Sequence, residues 1–120
     1  MEQMIIEKSE DTPKVILDPE RGRFEFSERS LPEDATAFYG PILQWIGNYA
    51  QSPCPATEVF FTMEYFNTAS SKLILDVLSA LEEIKSMKIL WYFHDDDEDM
   101  EEAGQEFSEL VEIPFEFKTY

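Results

Sequence analysis

The chain has 120 residues, 43% of them hydrophobic and 14% aromatic, with 26 acidic side chains against nine basic ones and a formal net charge of -17 at pH 7. This is enough apolar material for the core of one domain spanning residues 1–120, and it argues against disorder. The charge speaks against a nucleic-acid or anionic-membrane surface, because phosphate binding needs clustered Lys and Arg, and it favours a basic partner.

Met4 to Ile6 is expected as a short strand. The N-terminal segment is too acidic, and its apolar part too short, for a signal peptide. No apolar run approaches the ~20 residues of a membrane-spanning helix, so the expected location is the cytoplasm. Val15-Ile16-Leu17 reads as a second strand. Asp18-Pro19-Glu20-Arg21-Gly22 is a turn signal, and Phe24 and Phe26 alternate with charged residues after it, which makes a hairpin. Between about Asp34 and Gln51, Phe38, Ile42, Trp45, Ile46 and Tyr49 recur at helical spacing. Pro41 lies inside that pattern and either kinks the helix or starts it. Cys54, between Pro53 and Pro55, is the one cysteine. It cannot form an intramolecular disulfide and reads as an inert loop residue.

Glu58 to Phe66 is a strand with Val59, Phe61, Met63 and Tyr65 on one face and Phe60 and Phe66 on the other. Apolar side chains on both faces predict a strand inside the sheet and covered on each side. A helix from about Thr68 to Ser86 follows, with Ile74, Val77, Leu78, Leu81 and Ile84 as its core stripe. Met87 to His94 is a second buried strand. Strand, helix and strand of these lengths imply a right-handed crossover between parallel strands. Asp97 to about Leu110 is a third helix, acidic at its N-terminal end, where the dipole favours carboxylates. Ile113 to Phe117 is a last strand, placed at an edge by Pro114, which lacks a ladder donor. The order β-β-β-α-β-α-β-α-β is that of an α/β domain with a mixed β-sheet and helices.

Two stretches carry possible chemistry. In Tyr65-Phe66-Asn67-Thr68-Ala69-Ser70-Ser71-Lys72, a strand gives way to a helix. Asn67 and Thr68 are both good N-cap residues. Thr68, Ser70 and Ser71 place three hydroxyls where the dipole and the free N–H groups of a first turn tolerate a phosphate. The same residues also serve simply to cap a helix. The second stretch is His94-Asp95-Asp96-Asp97-Glu98-Asp99-Met100-Glu101-Glu102, just beyond a strand end, where ligands often bind in open α/β sheets. Its plain reading is a solvated acidic helix start. Asp95, Asp97, Asp99 and Glu106 also match a calcium loop, but Met100 stands where that loop needs glycine. A carboxylate magnesium site for phosphotransfer is the other alternative. No phosphate-cradling glycine loop is present, and nothing sets a nucleophilic serine beside His94.

Glu64 to Lys72 closely resembles the signature of the SiaC-type bacterial regulatory phosphoproteins. Trp91 to Gly104 looks like that family's second signature, and Phe38 to Trp45 and Ile113-Pro114-Phe115 fit its other landmarks. The resemblance covers nearly the whole chain, with small departures at Ala69 and at Phe93-His94. It implies a STAS-like fold, similar to anti-anti-sigma factors, and a partner-switching role without enzymatic activity or cofactor. It also implies that Thr68 is phosphorylated by a kinase related to anti-sigma factors and dephosphorylated by a PP2C-like phosphatase, with Asn67, Ser70 and Ser71 supporting the turn. The dephosphorylated protein is then expected to bind and activate a diguanylate cyclase, raising cyclic-di-GMP and favouring biofilm. A STAS-like regulator of an anti-sigma factor is the alternative within the same class.

Overall fold

The computed structural model describes residues 1–120. An apolar run makes β2 (Lys14–Asp18) and alternating apolar and charged residues make β3 (Arg23–Ser30), with β1 (Met4–Ile6) before them. In the hairpin turn the Asp18 carboxylate accepts from the Glu20 and Arg21 N–H groups at 3.0 and 3.2 Å. Gly22 follows at φ +63°, and a Cβ there would lie 2.6 Å from the Ala56 carbonyl, so both backbone and space require glycine. The remaining elements are α1 (Ala35–Tyr49), β4 (Thr57–Phe66), α2 (Thr68–Leu81), β5 (Met87–Phe93), α3 (Glu98–Leu110) and β6 (Phe115–Thr119), in the expected order.

Pro41 lies within α1 rather than at its start, since Asp34 caps that helix by accepting from the Ala37 N–H at 3.0 Å. α2 stops at Leu81, short of Ser86, and the chain turns into β5 through Ser86 at φ +57°. β6 begins two residues later than the alternation predicts. Pro114 precedes it, and its carbonyl accepts from the Ile89 N–H at 2.9 Å.

The six strands lie side by side in sequence order. β1, β2 and β3 are antiparallel. β3 to β6 are parallel, with one helix between each successive pair. β4 and β5 therefore form the expected parallel crossover pair inside the sheet, and β6 is an edge.

The helices do not cover both faces. One core cluster joins Tyr39, Ile46, Leu78 and Phe107 of the three helices to Leu17, Phe26, Phe61 and Trp91, which share one face of the sheet. The expectation that β4 is covered on each side is thus corrected. On the other face Phe60 and Tyr92 are half-buried, and Leu90 is buried. Long charged side chains, not a layer of structure, shield them. The Arg23 guanidinium lies 4.0 Å above the Phe60 ring. Lys88 links Glu58 of β4 at 3.5 Å and Glu116 of β6 at 2.8 Å, crossing three strands. Apolar stems beneath such charges shelter the surface while their ends stay wet.

A second correction concerns the end of β4. Glu28 pairs with Met63, but Arg29 pairs with Tyr65, so Glu64 has no partner and forms a bulge. Glu28 takes φ +75° at the same place. Beyond it the alternation inverts. Phe66 joins the core and meets Trp91 and Phe107, with centroids 6.5 and 6.0 Å away. Tyr65 is exposed, and the Arg29 guanidinium lies 5.3 Å from its ring.

Candidate functional site

The turn that joins β4 to α2 is built from three backbone and side-chain bonds. Asn67 is the N-cap of α2, and its side-chain carbonyl accepts from the Ser70 N–H at 2.9 Å. The Asn67 carbonyl accepts from the Ser71 N–H at 2.9 Å, and its own N–H donates to the Ser30 carbonyl at the end of β3 at 3.1 Å. The turn is therefore tied to the sheet and not free to swing.

Below it runs a line of buried hydroxyls. The Ser30 hydroxyl donates to Ser70 Oγ at 2.9 Å, which leaves the Tyr39 hydroxyl to donate to Ser30 Oγ at 2.6 Å. All three residues are fully buried. Buried hydroxyls need partners, and these satisfy one another across β3, α1 and α2. Burial pushes the Tyr39 phenol up to about 12, with the Ser30 bond acting the other way.

The three candidate hydroxyls now separate. Ser70 is sealed in that line and cannot meet a partner's active site. Ser71 is half-buried. Thr68 is exposed as the first residue of α2, and Asn67 has taken the capping role that both residues were suited to. The Thr68 hydroxyl is thus presented outward at the positive end of the helix dipole.

Two grooves flank the turn. One, of about 640 Å³, separates the starts of α1 and α2 and is lined by Glu33, Asp34, Thr36, Ala69 and Lys72 among others. The other, of about 280 Å³, lies between the end of β4 and α3, where Glu64, Tyr65, Asp97 and Met100 line it.

The acidic stretch is a helix start. Asp95 and Asp96 form a turn, and Asp97 caps α3 by accepting from the Met100 N–H at 3.0 Å. Glu98, Asp99 and Glu101 then occupy the first helical turn. A helix splays these carboxylates, whereas a calcium loop must converge them, and no group of three His, Cys, Asp or Glu residues is placed to hold a metal ion. His94 is exposed and stacks on Tyr120, with ring centroids 4.2 Å apart. The Tyr120 phenol is raised by partial burial, then by the Glu64, Glu28 and Asp97 carboxylates, so this rim of the sheet is acidic.

Sequence reasoning missed Ser30 and Tyr39. Tyr39 lay within a family landmark, but the helical stripe as read from spacing runs through Phe38, which is half-buried, and passes over the buried Tyr39. Ser30 carried no signal, because its partners are nine and forty residues away.

A family model described as SiaC family regulatory phosphoprotein matches residues 6–120. An uncharacterized protein of Pseudomonas aeruginosa strain UCBPP-PA14 is 25% identical over 124 residues, spanning all of this chain and 98% of that relative. The crystal structure of the diguanylate cyclase SiaD in complex with its activator SiaC, from Pseudomonas aeruginosa, contains a chain that superposes with a TM-score of 0.91. That match is 25% identical and covers 98% of this chain and 99% of the other. The fold recurs in a structure of SiaC of Pseudomonas aeruginosa, with a TM-score of 0.90, 23% identity and full coverage of both chains.

Proposed function

The chain belongs to the SiaC family of regulatory phosphoproteins, and from that premise we propose that it is a partner switch whose unmodified form binds and activates a diguanylate cyclase. Thr68 is the phosphoacceptor. A kinase of the anti-sigma-factor type transfers the γ-phosphoryl group of a nucleoside triphosphate to Thr68 Oγ1. The Oγ1–H bond breaks, an Oγ1–P bond forms, and a proton and the nucleoside diphosphate leave. A PP2C-like phosphatase hydrolyses the ester and restores the hydroxyl. The protein itself carries out neither step, and its setting is the cytoplasm.

One observation carries the assignment: Thr68 is exposed on the first turn of α2, while Asn67 caps the helix and Ser70 is buried. The phosphate adds about -1.5 to -2 charge at a helix N-terminus, which the domain tolerates because the dipole offsets about 0.3–1 kcal/mol. Within a cyclase contact the same dianion must lose water with no cationic partner supplied by the cyclase. That costs several kcal/mol, and about 2.8 kcal/mol already weakens binding roughly a hundredfold.

The test is cyclase affinity measured with unmodified and stoichiometrically phosphorylated protein, with circular dichroism on both. A drop in affinity with unchanged spectra is expected. Equal affinities refute the switch, and unfolding on phosphorylation refutes its mechanism.

A further inference from the structure

Thr68, Lys72 and Asp76 succeed one another at intervals of four along α2, so they form one row on its surface. Lys72 Nζ lies 3.6 Å from Asp76 Oδ2, and both side chains are well exposed, at 77% and 45%. Lys72 is the one basic residue of α2. It is also the one cation lining the groove between the starts of α1 and α2, where Glu33 and Asp34 supply the opposite sign.

From this row we propose that Lys72 is the built-in counter-ion of a phosphate on Thr68. Phosphorylation draws its ammonium from Asp76, one turn ahead, to the phosphate, one turn behind. The inference rests on the reading of Thr68 as the phosphoacceptor.

Two physical terms decide the competition. The phosphate carries about -1.5 to -2 charge against -1 for Asp76, so it attracts the ammonium more strongly. Direction acts the same way. An acid four residues before a lysine is a better helix pair than the reverse, because each charge then complements the dipole. Lys72 and Asp76 stand in the poorer order. A phosphate at position 68 offers the better one.

The consequence reaches the partner surface. The modification adds a dianion and also withdraws the single cation of the neighbouring groove, leaving Asp76 unpaired. The surface that a basic partner element meets changes by more than the phosphate alone.

The test uses the full chain with phosphothreonine incorporated at position 68 by genetic encoding. The second ionisation of the phosphate is followed by phosphorus NMR. Lys72→Met is expected to raise that pKa by about 0.2–0.4 unit, the size of a helical ion pair. Asp76→Asn, which leaves Lys72 uncontested, is expected to lower it. Lys85→Met, beyond the row, leaves it unchanged. Glu33 and Asp34 across the groove favour the protonated phosphate, Arg29 on β3 lies over Tyr65, and all three are common to every variant. Lys72→Gln repeats the measurement should Lys72→Met fold poorly. A titration indifferent to Lys72, or a Lys85→Met shift of equal size, overturns the ion pair. A kinase that modifies another residue overturns the reading of Thr68 but not the pair.

Discussion

Gly104 lies so close under the indole of Trp91 that a Cβ at position 104 would stand 2.5 Å from the ring. Trp91 is fully buried, and its Nε1–H donates to the Met100 carbonyl one turn earlier in α3 at 3.0 Å. The contact between α3 and the sheet is therefore set by the absence of a side chain. Gly104→Ala gains up to about 1 kcal/mol of helix propensity. It also forces ring or helix to move, at about 1–3 kcal/mol for overpacking. Net destabilisation is expected, read as a lower urea midpoint. A stabilised variant would show that α3 yields freely.

Adjacent carboxylates in the acidic stretch should behave differently. Asp97 caps α3, so Asp97→Ala should cost about 1 kcal/mol. Asp96 and Glu98 are exposed, and neutralising both should change stability by less than about 1 kcal/mol. Chemical denaturation of the two variants side by side makes the comparison. A loss of several kcal/mol in the double variant would mean those charges are held in place.

Tyr39 predicts an alkaline limit to stability. Its phenol is raised by burial from 10.0 to about 12 in the folded chain. Below pH 10 it is protonated in both states, and its stabilising effect is fully present. Between pH 10 and about 12 the unfolded chain ionises and the folded one resists, so stability falls as pH rises. Two pKa units correspond to about 2–3 kcal/mol. Tyr39→Phe should flatten that part of the profile, leaving the slope from Tyr49, which burial shifts in the same direction. Parallel profiles for parent and variant in alkaline denaturation would refute the assignment.

At the turn itself, Thr68→Ala should keep cyclase affinity and escape the kinase. The cap belongs to Asn67, so the helix loses nothing essential. Thr68→Asp should weaken the cyclase contact less than phosphate does, since it adds one charge instead of about two. Affinity and phosphate incorporation, measured on the same preparations, separate the two roles. Loss of cyclase binding in Thr68→Ala would mean that the hydroxyl is itself a contact.

The order of elements and the parallel pairing of β4 with β5 were legible because period and length are local properties. So was the turn: a hydroxyl-rich stretch between a strand and a helix announces an N-terminus. Two things were not local. Phe60, Leu90 and Tyr92 look like the far side of a doubly covered sheet, and only the cross-strand company of Arg23, Lys88 and Glu116 shows how an open face shelters them. The choice between Asn67 and Thr68 as cap, and between Ser70 and Thr68 as the exposed hydroxyl, depended on Ser30 and Tyr39, which are remote in sequence.

The unpaired Glu64 has one more consequence. It acts as a spacer that shifts the phase of everything between it and α2. Were Glu64 to pair and the strand to run on without a bulge, Phe66 would point to solvent, Tyr65 into the core, and the hydroxyl at 68 would leave the strand end on a different bearing. This segment should therefore be indifferent to what residue 64 is and tolerant of its removal, because Met63, Tyr65 and Phe66 would still face Glu28, Arg29 and Ser30. In a library of variants, substitutions at position 64 and its deletion should survive where deletion of Phe66 or single insertions between Met63 and Asn67 are lost.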